Sequence, residues 1–417
     1  MNINVQRWID RWVGIPLCSA VSVLDAVDRR FNQRSQAART PRAIVIILLS
    51  EMGSLVLAHD MFARLKARYP DAQLHALLFG KNREILDLMQ VIDPANVHTV
   101  DDKSLAGLLG SLWRAMVQLR RAKVDVAIDC ELFSRISSLL SYASGAQVRV
   151  GFHRHTQEGL YRGSHINRPV PYNPYHHISA QFLTLARAID STAVPRSKLP
   201  AMAAAVVSGK PPPQVQLDAR LKSDIERRLA QDFPAIAGKP LVLVYPGGGI
   251  LPIRAWPLTS YTTLCEGLLA DGCAVAVIGL KDDQALAQQL VANVKRTYAD
   301  NPVIDLTGYT RSIAELLGLF HVARLLVTND GGPGQFAALT PIWTLMLFGP
   351  ETPGLYAPLT PRCHSFYSQW PCSPCLTAYN HRASYCDGDN QCLKVIAPEE
   401  VLAKARECLR GGEPVAV

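Results

Sequence analysis

Short apolar runs alternate with amphipathic stretches along most of the chain, and this alternation is the first indication of its fold. In the first half, apolar runs long enough for buried strands lie at residues 43–49, 74–79, 97–100 and 124–128. Stretches with the apolar spacing of helices separate them, at residues 55–69, 85–92, 105–121 and 134–142. Strands that alternate with helices in this way predict a doubly wound α/β domain with a parallel sheet.

The second half repeats the pattern. A segment rich in proline, alanine and serine at residues 195–213 is typical of a domain boundary. Beyond it, apolar runs lie at residues 240–244, 274–279, 303–306, 325–327 and 342–348, and helical patterns lie at residues 217–229, 312–320 and 335–339. We therefore predict two α/β domains, at residues 41–213 and 214–417.

Residues 1–40 have a different pattern from either predicted domain. Trp8 and Trp12 stand next to arginines, and apolar side chains recur from residue 12 to residue 27. That stretch contains Pro16 and Asp25 and falls short of the roughly 20 residues that span a bilayer. Tryptophan beside arginine suits an amphipathic segment in the headgroup region of a membrane. The alternative is a helix packed on the protein's own core or on a second subunit.

The net charge of the chain limits the possible classes of binding partner only in part. A net charge of +8, from 43 Lys and Arg against 35 Asp and Glu, suits an anionic substrate or an anionic membrane surface. No recognised nucleic-acid-binding motif is present, so we do not predict nucleic acid as a partner. Because no cleavable signal peptide is evident, we expect a reducing, cytoplasmic location.

Four strand ends in the second half carry glycine, threonine, basic or acidic residues. The candidate anion-binding residues are Gly247, Gly248, Gly249, Arg254, Lys281, Thr307, Asp330, Gly331, Gly332 and Gln335. In isolation, the glycine turn after Asp330 reads as a tight turn with an N-capping aspartate. Because the carboxyl ends of parallel strands share one edge of the sheet, four such ends together favour a phosphate-binding edge. The spacing of a Walker loop is absent.

Two strand ends in the first half carry acidic residues. Glu51 follows the first apolar run, and Asp129 and Glu131 follow the fourth. A carboxylate at such an edge can act as a general base, or it can cap the next helix.

Four cysteines form a Cys-x2-Cys-x10-Cys-x5-Cys pattern at Cys372, Cys375, Cys386 and Cys392. In a reducing compartment this pattern favours a tetrahedral thiolate site that holds zinc or iron. A site with four thiolate ligands has no open position, so we expect a structural role. The alternatives are two disulfides, or Cys363 as a substitute ligand.

The order of these motifs resembles glycosyltransferase family nine, the heptosyltransferases that use ADP-heptose to extend lipopolysaccharide. The likeness covers roughly residues 42–400. It rests on LLSEMGS at 48–54, the strand end with its Ile-Asp pair at 127–130, RVGF at 149–152, the PG…R-x-WP element at 246–257 and the segment that begins VTNDGG, includes FGPETP and ends in a proline, at 327–358.

The resemblance implies a GT-B fold of two facing Rossmann-like domains, with the nucleotide sugar in the C-terminal domain and the acceptor in the N-terminal one. It also implies metal-independent transfer with inversion at the sugar. In that chemistry a carboxylate deprotonates the acceptor hydroxyl, while basic groups and backbone N–H groups stabilise the departing diphosphate.

Three positions depart from the family pattern. Ser54 replaces the catalytic aspartate, Arg254 replaces a lysine, and Gln335 replaces a histidine. We therefore expect either a relocated base, with Glu131 as the first candidate and Glu51 as the second, or a loss of catalysis. Related heptosyltransferases that modify bacterial autotransporter proteins carry an iron-binding cysteine finger, although its spacing differs from the pattern at residues 363–392.

These observations predict an inverting glycosyltransferase that moves a sugar, heptose or a related one, from a nucleotide sugar such as ADP-heptose to a lipopolysaccharide-type or lipid-linked glycan. We expect it at the cytoplasmic surface of the inner membrane, and a homo-oligomer is compatible with this prediction. The alternatives are a catalytically silent protein that binds a nucleotide sugar or acts as a scaffold, and a sugar-nucleotide epimerase.

Overall fold

The computed structural model describes residues 8, 10–31, 40–49, 51–132, 134–152, 161–190, 210–297, 302–378 and 384–411. The chain divides into two compact units, Met1–Lys210 and Pro211–Val417. Each unit contains its own six-stranded sheet. Residues 195–209 of the predicted boundary segment lie outside the described residues.

The sheet of the first unit is parallel, in the order β3-β2-β1-β4-β5-β6. Its strands are β1 (Ala43–Ile47), β2 (Gln73–Phe79), β3 (Val97–Val100), β4 (Val126–Asp129), β5 (Val148–Phe152) and β6 (Arg168–Val170). The helices are α1 (Gly14–Phe31), α2 (Met52–Leu57), α3 (His59–Arg68), α4 (Arg83–Met89), α5 (Leu105–Arg121), α6 (Arg135–Ala143) and α7 (Ile178–Arg187).

The predicted apolar runs form the centre of this sheet. Every residue of β1 is buried, as expected for a strand with helices on both faces. The prediction of a single helix at residues 55–69 is wrong. The chain forms two helices there, which meet at Ala58. Helix α2 also begins earlier than predicted, because Glu51 takes an extended conformation and forms its N-cap.

Helix α1 packs on the first unit itself, against α6 and the loop before β6. The Asp25 carboxylate lies 2.5 Å from the Arg149 guanidinium, and both side chains are buried. Ser22 accepts a hydrogen bond from the Ser164 amide at 2.8 Å. Of the helices in the described part of the chain, none has the length and apolar character needed to cross a bilayer.

The second unit contains a sheet of the same design, in the order β12-β11-β10-β7-β8-β9. Its strands are β7 (Leu241–Tyr245), β8 (Ala274–Val277), β9 (Val303–Asp305), β10 (Leu325–Asn329), β11 (Trp343–Phe348) and β12 (Cys363–Tyr367). The helices are α8 (Ala219–Asp232), α9 (Leu258–Ala270), α10 (Gln284–Thr297), α11 (Ile313–Val322), α12 (Gly332–Ala337), α13 (Pro353–Tyr356), α14 (Gln391–Lys394) and α15 (Pro398–Leu409).

All pairings in this second sheet are parallel, so its strands end at one edge. The central strands β7 and β10 are direct neighbours. Their ends bring the glycine turn at residues 247–249 next to the glycine turn at 331–332, as the spacing of the motifs predicts. The candidate site of this unit is built at that edge.

Candidate functional site

A buried asparagine joins the two glycine turns of the second unit. The Asn329 side chain at the end of β10 is fully buried. Its Oδ1 atom accepts hydrogen bonds from the Trp256 amide at 3.0 Å and from the Tyr261 hydroxyl at 3.2 Å. Its Nδ2 atom donates to the carbonyl oxygens of Pro246, at 3.1 Å, and Gly247, at 3.0 Å. One amide therefore fixes the path of the loop after β7 relative to β10.

The glycines of that loop are required by their surroundings. A Cβ atom on Gly248 would lie 2.6 Å from the Leu251 carbonyl oxygen, and a Cβ atom on Gly247 would lie 2.8 Å from the Tyr245 hydroxyl. Gly249 has a φ of +60°, which favours glycine. Burial raises the pKa of Tyr245 to about 12, aided by the nearby Asp283 carboxylate. Tight packing thus accounts for these glycines in addition to any ligand contact.

Arg254 lies between two buried carboxylates. Its Nε atom is 3.5 Å from Oδ2 of Asp330, and its Nη2 atom is 2.9 Å from Oε1 of Glu351. Asp330 follows β10 and Glu351 follows β11, so three segments converge on one guanidinium. Arg254 can therefore hold a fixed orientation at the sheet edge.

The remaining predicted anion-binding residues form local contacts. Thr307 donates from both its amide and its hydroxyl to Oδ1 of Asp305, at 2.8 and 2.7 Å. Lys281 is exposed after β8, and its aliphatic part lies against Gly308. Gln335 is buried, and its Nε2 atom donates to the Tyr356 carbonyl at 2.6 Å. Lys281 and Thr307 thus belong to the outer strand ends of β8 and β9.

The acidic residues of the first unit gather at the end of β1. Ser54 donates a hydrogen bond to Oε2 of Glu51 at 2.7 Å. The Oε1 atom of Glu131 accepts from the Leu49 amide at 2.6 Å. Both glutamates are half-buried. The structure therefore brings both candidate bases to the same strand end, and it places Glu51 directly beside the serine that replaces the family aspartate.

Asp129, next to these glutamates, has a structural environment. It is fully buried and pairs with the equally buried Arg162. It also accepts hydrogen bonds from the Ser137 hydroxyl at 3.0 Å and from the Glu131 amide at 3.1 Å. Burial raises the pKa of Asp129, and Arg162 opposes that shift. These contacts fix the loop that carries Glu131.

The four cysteines of the predicted metal site are neighbours in space. Burial raises the pKa of the Cys392 thiol to about 11, with further contributions from the nearby Cys375, Cys372 and Cys386 sulfurs. Among the residues that the structure describes, no set of three or more His, Cys, Asp or Glu side chains meets the geometry of a metal site. The metal therefore stays a prediction. Cys363 is instead a neighbour of Ser365 and Cys408.

We call the segment that carries these cysteines, residues 363–392, the cysteine finger. It is hydrogen-bonded to the backbone next to Arg254 and next to Glu351. Asn390 donates to the carbonyl of Ile253, next to Arg254, at 2.6 Å. The amides of Cys375 and Leu376 both donate to the carbonyl of Pro350, next to Glu351, at 2.9 Å. The finger thus holds both members of the Arg254–Glu351 pair through their chain neighbours.

Sequence analysis missed Asn329 and Glu351, although both lie inside the motif at residues 327–358. Glu351 follows a Gly-Pro pair at a strand end, where it could also have been read as a turn residue. Asn329 precedes the acidic residue of the glycine turn, and a polar side chain at the end of a buried strand was the available signal.

A family model and individual proteins match this chain. The model of glycosyltransferase family 9 (heptosyltransferase) matches residues 112–385. Lipooligosaccharide heptosyltransferase 2 of Haemophilus ducreyi is 25% identical over 321 residues, which are 76% of this chain and 86% of that protein.

Two solved structures show a related fold. ADP-heptose lipopolysaccharide heptosyltransferase II of E. coli gives a TM-score of 0.66 at 20% identity, over 88% of this chain and 98% of that one. TibC of enterotoxigenic E. coli H10407, described as an iron-containing dodecameric glycosyltransferase, gives a TM-score of 0.50 at 14% identity, over 89% and 77%. The expected GT-B fold is confirmed, and the chain belongs to glycosyltransferase family 9, the heptosyltransferases.

Proposed function

We propose that this glycosyltransferase moves heptose from ADP-heptose to a sugar of a lipopolysaccharide-type acceptor. The arginine held at the sheet edge of the second unit, beside two glycine turns, is the observation that supports this proposal most directly. A guanidinium and backbone N–H groups are the groups that bind a diphosphate and stabilise it as it leaves. The relatives named for ADP-heptose and for lipopolysaccharide supply the choice of sugar and acceptor.

Within this proposal the residues of the second unit have different roles. Arg254 and the backbone of Gly247–Gly249 and Gly331–Gly332 contact the diphosphate, with Lys281, Thr307 and Gln335 contributing to the same donor region. Asp330 belongs to the site as a positioning residue, because a carboxylate beside a diphosphate would repel it. Asp330 and Glu351 instead orient the Arg254 guanidinium.

The acceptor hydroxyl needs a base, and the contacts of the first unit favour Glu51 over Glu131. Glu51 is hydrogen-bonded to Ser54, the position of the family aspartate, so its carboxylate lies close to where that aspartate would be. Glu131 uses one carboxylate oxygen to bind the Leu49 amide. Glu51 then takes the proton of the acceptor hydroxyl as that oxygen attacks the anomeric carbon of the donor from the side opposite the departing ADP.

One experiment separates this function from its rivals. Purified protein is incubated with ADP-heptose, with and without a lipopolysaccharide core acceptor in detergent, and free ADP is measured. We expect ADP to be released only when the acceptor is present. Mass spectrometry should then show that the acceptor has gained the mass of one heptose residue. Release without acceptor would indicate hydrolysis or epimerisation, and binding without release would indicate the silent form.

We also propose that the cysteine finger binds a structural zinc or iron ion through Cys372, Cys375, Cys386 and Cys392. Burial and the three neighbouring sulfurs of Cys375, Cys372 and Cys386 raise the pKa of Cys392, and a bound cation would stabilise all four as thiolates. The hydrogen bonds from the finger to residues 253 and 350 indicate what such an ion would contribute here. It would rigidify the segments that hold Arg254 and Glu351.

The location we propose is the cytoplasmic surface of the inner membrane, where a lipid-anchored acceptor would be reached. The exposed apolar side chains of α1 support this location. A homo-oligomer stays a prediction, and sedimentation of the purified protein tests it.

A further inference from the structure

Helix α1 and the helical residues before it turn their small and polar side chains towards the protein. The inward residues, all buried, are Gly14, Cys18, Ser22 and Asp25. The outward residues are large, apolar and exposed: Trp8, Trp12, Val13, Ile15, Leu17, Val23, Leu24, Val27 and Phe31. We call this outward set the α1 apolar face. An ordinary surface helix has the opposite arrangement, with its apolar face against the core.

The orientation of the helix is fixed by its inward face. Asp25 pairs with Arg149, and Asp10 pairs with Arg135 at 3.2 Å while it also accepts hydrogen bonds from the Arg135 and Ile136 amides. A Cβ atom on Gly14 would lie 2.8 Å from the Cβ atom of Arg135. Rolling the helix to bury its apolar side chains would break both ion pairs. The α1 apolar face therefore stays outward.

The amount of exposed apolar surface is unusual for a monomer in water. Trp12 is 61% exposed, Val23 is 64% exposed and Phe31 is 80% exposed. Val23 and Phe31 belong to an 18-residue helix that is roughly 27 Å long, and Trp12 lies just before it. Contiguous apolar patches of this kind mark a surface that is covered in the working state.

The charges around the patch indicate what covers it. Of the three carboxylates in the described part of this segment, Asp10 and Asp25 point inward and are paired with arginines, and Asp28 is exposed in the last turn of α1. Arg11 and Arg30 are exposed near the two ends of the patch, and the Arg11 guanidinium lies 5.7 Å from the centre of the Trp12 ring. Tryptophan and arginine around an apolar face are the combination that binds an anionic lipid surface.

A second copy of the chain fits the patch less well. In a two-fold pairing of antiparallel helices, Arg11 of one copy would approach Arg30 of the other, and like charges in that arrangement repel. A bilayer of anionic phospholipid presents negative headgroups to both arginines and hydrocarbon to the apolar side chains. The bilayer therefore matches both the two arginines and the apolar side chains of the patch.

We propose that the α1 apolar face is a docking surface on which the helix lies flat in the headgroup region of an anionic phospholipid bilayer. The proposal deepens the peripheral location given above and rests on the proposed function, because a lipid-anchored acceptor is reached at such a surface. Docking through α1 would hold the first unit, with Glu51 and Glu131, at the membrane that carries the acceptor.

The test is sedimentation of the full-length protein with vesicles of phosphatidylcholine, with or without phosphatidylglycerol. We expect binding to the anionic vesicles, weaker binding in high salt, and little binding to the neutral vesicles. The variant Trp12→Ser/Val23→Ser/Val27→Ser should lower the affinity for anionic vesicles at least about tenfold, because each buried apolar side chain contributes to partitioning. The matched control is Trp113→Ser on α5, a tryptophan that is 69% exposed, and it should bind like the wild type.

Several results would overturn the proposal. These are unchanged binding by the triple variant, equal binding to neutral and anionic vesicles, or an equal loss in Trp113→Ser. Dimers in the absence of lipid that the triple variant dissociates would make the face a subunit contact instead. A matched urea midpoint for wild type and triple variant excludes unfolding as the cause of lost binding.

The proposed function can fail separately. ADP release with a detergent-solubilised acceptor should be the same in the triple variant and the wild type. If the wild type releases no ADP with any acceptor but still binds anionic vesicles, the proposal of heptosyl transfer is wrong, whereas the proposal of a docking surface is supported.

Discussion

The Nη2 atom of Arg254 lies 2.9 Å from the Oε1 atom of Glu351, and both side chains are largely buried. Asp330 completes the group at 3.5 Å from the same guanidinium. A buried arginine between two carboxylates is a costly arrangement unless all three charges remain together. The pair therefore links the stability of the second unit to the shape of its proposed donor site.

Arg254→Met should lower both stability and donor affinity. It leaves two buried carboxylates without a counter-charge, and we expect a loss of about 3 kcal/mol in the free energy of unfolding. Arg254→Met/Glu351→Gln removes one of those charges and should recover part of the stability without recovering ADP binding. Urea unfolding and calorimetry with ADP measure the two effects. If the double variant binds ADP normally, Arg254 is not a donor ligand.

The two candidate bases can be distinguished by isosteric changes. Glu51→Gln keeps an acceptor for the Ser54 hydroxyl, so it should lower kcat by roughly a hundredfold or more while ADP affinity remains unchanged. Glu131→Gln keeps an acceptor for the Leu49 amide and should have a smaller effect.

The exchange Glu51→Ser/Ser54→Asp moves the carboxylate to the family position. It should restore part of the turnover lost in Glu51→Gln, as measured by ADP release. A full loss of turnover in Glu131→Gln, with normal turnover in Glu51→Gln, would reverse the assignment.

Asn329→Asp should loosen the loop after β7. The carboxylate can still accept from Trp256, but it cannot donate to the carbonyls of Pro246 and Gly247. Placing a buried carboxylate against two carbonyl oxygens should cost about 2–3 kcal/mol in the free energy of unfolding and weaken ADP binding. Asn96→Asp in a partly exposed turn is the control and should change neither quantity.

Metal content tests the cysteine finger directly. We expect elemental analysis of the wild type to give zinc or iron, and Cys375→Ser to lower that content and the melting temperature. Cys363→Ser provides the control, because Cys363 has Cys408 and not the four clustered cysteines as its neighbour. A wild type without metal, and with cysteines that resist thiol reagents until reduction, would indicate disulfides.

The first unit should lose stability in mild acid because of buried histidines. Burial lowers the pKa values of His75 and His165 to about 4 from an unfolded value of 6.5. Between these limits the unfolded chain binds more protons than the folded one, so the free energy of unfolding should fall as the pH drops from 6.5 to about 4, by roughly 5 kcal/mol for the two histidines together.

His165 bonds α6 through Ser138 and lies beside Ser22 of α1. His165→Asn should therefore have a shallower pH dependence than the wild type, as measured by urea unfolding at several pH values. The exposed His176→Asn should follow the wild-type curve. Identical curves for all three proteins would show that His165 does not contribute to the pH dependence.

The fold was largely predictable because apolar runs identify buried strands, and alternation with helices implies a parallel sheet. The end of β1 and the glycine turns after β7 and β10 were found for the same reason, since their positions follow from the strands. The pair of Arg254 and Glu351 could not be found in this way, because it joins residues far apart in sequence whose packing is decided by three converging segments.

The orientation of α1 about its own axis is a second feature that the sequence pattern does not determine. The spacing of its apolar residues predicts two unlike faces, but it does not say which face lies against the protein. Asp25 meets Arg149, 124 residues away, and this contact turns the polar face inward. Hydrophobicity alone would have favoured the opposite orientation.

The inward carboxylates of α1 and of the helical residues before it have a practical consequence for how this protein is shortened or tagged. Removing residues 1–40 would take Asp10 and Asp25 away together and leave the buried Arg135 and Arg149 guanidiniums without these two counter-charges. A truncated enzyme that fails to reach the membrane fraction would then be ambiguous, because a misfolded first unit gives the same result. The segment should be treated as part of the enzyme's interior, with only its outer side chains open to redesign.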